Sequence, residues 1–183
     1  MFSGADAASG LGDALIHYRF QATSGSGRAP AFSPRISLVL PTGSSSRGLG
    51  SGSPGWEINL PFSKQLGDLY LHWNAGFTHL PSAEADRATH NLLTPRVAAS
   101  GIWRVRPMLN LMLEAVAQWD EEVGEGATFR TRGVTLLPGL RTGWDIGDAQ
   151  TIVGVGIPVS FSDGDATAGI FGYFSYELPF IRP

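Results

Sequence analysis

The sequence predicts an all-β fold, a transmembrane antiparallel up-and-down β-barrel built as a single domain. Three observations predict it. Apolar residues recur with period two along the whole chain, while helical spacing is almost absent. Connections between the alternating segments switch regularly between short and long. Aromatic residues on the apolar face gather near the segment ends.

Nine segments carry the alternation. In the first, Ile16, Tyr18 and Phe20 alternate with Leu15, His17, Arg19 and Gln21; in the second, Phe32, Ile36, Leu38 and Leu40 alternate with Ser33, Arg35 and Ser37. The third sets Trp56, Ile58, Leu60 and Phe62 against Glu57, Asn59 and Ser63. The fourth sets Leu69, Leu71, Trp73, Ala75 and Phe77 against Tyr70, His72, Asn74 and Thr78. Val97, Ala99 and Trp103 then oppose Arg96, Ser100 and Arg104, and Leu109 to Trp119 opposes Asn110, Glu114, Gln118 and Asp120. A seventh segment runs through Val134, Leu136, Leu140 and Trp144, with Thr135 and Arg141 between them. In the eighth, Thr151, Val153, Val155, Ile157, Val159 and Phe161 alternate mainly with small residues. The ninth, Ile170, Phe174, Tyr176, Leu178 and Phe180, alternates with Tyr173, Ser175 and Glu177.

Period two does not say which face is covered, since a soluble barrel turns its apolar face inward and a membrane barrel turns it to lipid. The connections decide. Ser63–Asp68, Arg106–Met108 and Asp145–Ala149 read as short turns, with Gln21–Pro30 the longer member of that side. Pro41–Gly55, His79–Asn91, Glu121–Gly133 and Ser162–Gly169 read as long polar loops. Outer-membrane barrels show this asymmetry, short turns on the periplasmic side and long loops outside. Tyr18, Phe20, Phe32, Phe62, Trp103, Trp144 and Phe180 fall by the short turns, and Trp56, Phe77, Trp119 and Phe161 by the long loops, as two interfacial belts would. The apolar-face positions named above hold no charged residue, whereas the opposite face carries Arg19, Arg35, Glu57, Arg96, Arg104, Glu114, Arg141 and Glu177. A soluble lipocalin-like barrel would have to bury those charges, at several kcal/mol each unless paired.

Composition agrees. Only 16% of the 183 residues are charged, Gly is 24 and Pro 12, and of the 13 basic residues all but Lys64 are Arg. A well-solvated surface normally carries about a quarter charged residues. A net charge of -3 leaves no electrostatic footprint for nucleic acid. Absence of Cys excludes disulfides, thiolate metal sites and a thiol nucleophile. No run of about 20 apolar residues exists, so no spanning helix is expected.

Nine strands whose last ends on the periplasmic side place Met1–Gly12 outside. Bacterial barrels have even strand numbers with both ends periplasmic. The expectation is an N-terminally incomplete barrel of 10–12 strands in full, with 1–12 a loop remnant, 13–180 the strands and 181–183 a tail.

Three stretches carry a resemblance: Leu40-Pro41-Thr42-Gly43 before a Gly-rich loop, Asn59-Leu60-Pro61-Phe62-Ser63, and His72-Trp73-Asn74-Ala75-Gly76. From about Leu11 to Phe180 the chain resembles the family of outer-membrane transporters named for the MetA pathway of phenol degradation. That resemblance implies a membrane β-barrel in the bacterial outer membrane and passage of small organic solutes, with no catalytic residues and no cofactor. Phe180 resembles the terminal aromatic recognised by the barrel-assembly machinery, although Ile181-Arg182-Pro183 extends beyond it.

Other constellations point to weaker chemistry. Gly50-Ser51-Gly52-Ser53-Pro54-Gly55 satisfies GxGxxG, but a dinucleotide site needs a helix after it and here a strand follows. His17, His72, His79 and His90 are scattered, whereas a metal needs three or four converging ligands. Asp120, Glu121, Glu122 and Glu125 form an acidic cluster of the oxygen type that holds Ca²⁺; a solvated loop is its plainer reading. An outer-membrane protease would use His79, His90 and Asp86 at the rim, and a lipid-modifying enzyme would need Ser and His on the outer face, which offers neither. The expectation is therefore no enzyme, but a passive channel. Its lumen is lined by Arg19, Arg35, Glu57, His72, Arg96, Arg104, Glu114, Arg141 and Glu177, whose charges either form a transverse field or pair and plug the barrel. A closed structural or adhesive barrel acting through its loops is the alternative.

Overall fold

The computed structural model describes residues 9–85, 88–124 and 127–178. The chain is all-β, one antiparallel meander sheet in the order β1-β4-β5-β6-β7-β8-β9-β10-β13. Those nine strands are Ala14–Arg19, Arg35–Leu40, Gly55–Leu66, Leu69–Ala85, Ala88–Arg106, Leu109–Gly124, Ala127–Ile146, Ala149–Gly156 and Phe171–Glu177. Off this path, β2 (Thr23–Ser24) pairs with β3 (Ala31–Phe32), which also pairs with β5, and β11 (Val159–Ser162) pairs with β9 and with β12 (Asp165–Ala168).

Turn chemistry sets the registers at the short-turn end. Gly67 and Gly147 take positive φ at the first central position of two-residue hairpins, and Met108 takes φ 65° after Pro107. At Asp163-Gly164 both residues have positive φ, the mirror-image turn that matches strand twist.

At the other end the structure corrects the expected loops. His79–Asn91 and Glu121–Gly133 do not form long loops: β6 and β7 run on as a hairpin past His79, and β8 and β9 past Glu121. Ser162–Gly169 is likewise mostly the β11–β12 hairpin. Of the four expected long loops, Pro41–Gly55 alone stays mostly irregular among the described residues, with one short 3-10 turn at Ser45–Arg47. The eighth expected strand is divided at Ile157-Pro158 into β10 and β11, which keep one continuous register along β9 while the neighbour on the other side changes from β13 to β12.

Backbone hydrogen bonds do not close the sheet into a barrel. Successive neighbours are antiparallel, so β1 and β13, first and ninth in the path, run in the same direction. Joining them directly would require a parallel pair in an otherwise antiparallel sheet.

The two faces differ in covering. Among the described residues the buried hydrophobic side chains are Val39, Ala83 and Ala149, while Leu38 is 53% and Leu113 55% exposed. The polar face is the more enclosed one: Ser37, Glu57 and Asn59 are buried on it.

Candidate functional site

The apolar face forms a bounded band. On β8 it runs from Leu109 to Trp119 and on β9 from Val134 to Trp144, eleven residues each. Beyond Trp119 the same register carries Glu121, Arg130 and Arg132; on β6 it reaches His79 and on β5 Lys64. Eleven residues tilted by about 40° rise roughly 25 Å, the thickness of a spanning strand's apolar zone. Lys64, which the alternation did not place, sits at the band's short-turn edge and donates to the carbonyls of Gly27 and Ala29. Phe32 and Phe62 stack with centroids 4.4 Å apart, and Phe62 stacks on Trp73 at 5.8 Å. These cross-strand aromatic pairs fix the register of β3, β5 and β6 on that face. Trp56 and Phe77 make an edge contact at 5.1 Å.

The opposite face is concave and polar. The sheet curls so that Arg19 on β1 and Glu114 on β8 line one hollow of about 380 Å³, together with Ser63, His72, Asn74 and Ser100. His72 also lines a second hollow beside the β2–β3 turn, and Glu114 a third, toward β13. Arg141 belongs to that third hollow and to a fourth, with Arg104 and Asn110. Shared residues link the four into one trough.

The expected lumen residues divide into paired and unpaired sets. Glu57, buried, accepts from Arg35 and from Arg96, each at 2.8 Å. Arg96 crosses β6 to do so, and its other nitrogen donates to Thr78 Oγ1 at 3.3 Å. Gly76 stands opposite Arg96 in the β6–β7 ladder and offers no side chain to block that crossing. Arg104, at the trough's short-turn end, reaches toward the β5–β6 turn, donating to Asp68 at 2.5 Å and lying 6.0 Å from the Tyr70 ring centroid. Asp68 was missed by sequence reasoning because it lies in a turn outside the alternation. Among the described residues, Arg19, Glu114, Arg141 and Glu177 join no ion pair. Glu177 accepts from Ser175 at 3.2 Å. His17 shares a 2.7 Å hydrogen bond with Ser37.

The Gly50–Gly55 loop leads into β5 and is anchored by Asp13, whose carboxylate accepts from Gly43 N–H at 3.0 Å and from Ser51 N–H and hydroxyl at 2.7 Å each. Burial raises the Asp13 pKa, but the Ser51 and Gly43 donors outweigh it and hold the carboxyl below its ordinary 3.8. Glu121 of the acidic cluster accepts from Leu93 N–H at 2.7 Å and from Arg130, and these donors hold it below the ordinary 4.5. Glu125 and the side chain of Glu122 lie outside the described residues, as do Asp86 and Phe180. Among the described residues no three His, Asp or Glu converge as for a metal. His79 bonds to Asn91 at 2.8 Å rather than to a nucleophile.

Compared with known protein families, curated proteins and solved structures, the chain matches none.

Proposed function

We propose that this chain forms the wall of an outer-membrane β-barrel channel through which small organic solutes pass without chemistry or cofactor. One observation carries the reading: the covering of the two faces is inverted. Large apolar side chains stand exposed over a band about one bilayer core thick, while carboxylates, guanidinium groups and amides turn into a curled trough. In water such an apolar surface would be a large uncovered patch on a sheet with almost no buried core. Against lipid it is the favourable arrangement. The charges of Arg19, Glu114 and Arg141, which join no ion pair among the described residues, are then served by lumen water. Closure of the barrel, on this reading, comes from strand pairing along the free edges of β1 and β13, because unpaired backbone edges are not tolerated in lipid. Its insertion would use the barrel-assembly machinery.

The Arg35–Glu57–Arg96 cluster favours a second reading, a closed structural barrel, since paired charges narrow a lumen. Planar-bilayer recording separates the two. The channel reading expects stepwise conductance from protein whose gel mobility is heat-modifiable, altered in ion selectivity by Arg141→Gln; folded protein that never conducts refutes it in favour of the closed barrel. Protein that stays in the soluble fraction refutes both.

A further inference from the structure

The trough is polar along most of its length, with Ser37, Glu57, Asn59, His72, Asn74 and Ser100 on its face, but its β13 end is not. There Met112, Leu137, Phe171 and Tyr173 line a hollow of about 470 Å³, within the range of small-molecule sites. Its floor is bare backbone. Gly139 pairs with Gly156, which pairs with Phe171, and Arg141 pairs with Gly154, which pairs with Tyr173. A Cβ on Gly156 would lie 3.1 Å from Leu137 Cδ1, and one on Gly139 3.0 Å from Val155 O. Leu137 thus reaches over Gly156, and Gly139, Gly154 and Gly156 line the hollow as a flat strip between the two aromatic rings and Met112, a strip that larger side chains would crowd.

The ends of this strip carry opposite charge. Glu114 stands across from Leu137, and Arg141 lies four residues further along β9, about 13 Å away at the backbone. Neither joins an ion pair among the described residues. Arg offers a planar fork that matches a carboxylate, while Glu accepts from a donor and repels an anion.

We propose that this hollow is a binding station for a flat solute with an acidic group at one end and a hydrogen-bond donor at the other, the class of a hydroxylated aromatic carboxylate. The inference rests on the concave face being an aqueous passage. The ring lies on the glycine strip beside Phe171 and Tyr173, the carboxylate meets Arg141 and the hydroxyl donates to Glu114.

Calorimetric titration of the full chain in lipid nanodiscs with 4-hydroxybenzoate tests it. Saturable binding is expected, weakened at least tenfold by Arg141→Gln and by Tyr173→Ser, and at least tenfold weaker for trans-4-hydroxycyclohexanecarboxylate, which has the same groups on a puckered ring. If Tyr173→Ser loses heat-modifiable mobility, the comparison of the two solutes on the unsubstituted chain carries the test. Absent binding, equal binding of the two solutes, or binding indifferent to Arg141→Gln overturns the proposal. Conductance without binding refutes the station and leaves the channel standing; binding without conductance does the reverse.

Discussion

Placing a guanidinium on each face of β8 in turn tests the inverted covering. Leu113 is 55% exposed on the apolar face and lies next to the middle of the Leu109–Trp119 band. Three residues on, Val116 belongs to the polar face opposite Thr135. An Arg at the midplane on the lipid side of a barrel costs about 2–4 kcal/mol, falling to about 0–1 at the interfaces. Leu113→Arg should therefore lower the folding constant roughly 30- to 1,000-fold, whereas Val116→Arg, entering water, should change it by less than about tenfold. Val105→Arg, at the band's short-turn edge, should fall near the lower figure. Folding is measured by urea titration into lipid vesicles, followed by tryptophan fluorescence. Equal costs at Leu113 and Val105, or a larger cost at Val116 than at Leu113, would refute the assignment of the apolar face to lipid.

Three further outcomes are expected. Glu57→Gln leaves Arg35 and Arg96 side by side without their carboxylate; because both guanidinium groups are about a third exposed, the cost should be about 1–3 kcal/mol rather than the larger value of a fully buried pair, read as a drop in urea midpoint. Asp13 has its pKa lowered by folding, so its contribution is complete above the unfolded value near 3.8 and is lost as pH falls through the lower folded value; proteolysis of the Pro41–Pro54 loop should quicken in that acid range, and Asp13→Asn should show the fast rate already at neutral pH. Arg104 and Asp68 are exposed partners, so a double-mutant cycle on the pair should return no more than about 1 kcal/mol.

The strand path was legible because one uncharged face imposes a strict period of two over each stretch where it lies in the band. Past the band that constraint lifts. From Pro81 to Asn91 and from Glu121 to Arg132 both faces carry polar residues, so continuing strands such as upper β6 and β9 looked like loops. At Ile157-Pro158 the alternation of Val155, Ile157 and Val159 persists because the register along β9 is continuous there; the switch of the other neighbour from β13 to β12 is what only long-range pairing reveals. For the residues expected to line a lumen, the shared face was readable and the pairing was not. Glu57 meets Arg96 from two strands away through the gap that Gly76 leaves opposite that arginine, and no linear pattern encodes that diagonal. Arg104 was assigned to the lumen by parity alone, yet a turn residue, Asp68, draws its charge aside.

Pairing along the main path joins strands that are neighbours in sequence, apart from the short β2–β3 and β11–β12 insertions. Such a sheet is modular in the manner of a repeat array, each hairpin held by its two flanks and by nothing remote. Gain or loss of one whole hairpin keeps every other register and the inside–outside alternation intact. If the sheet is the wall of a channel, as proposed, its width would change in steps of two strands while the rest of the wall stays as it is.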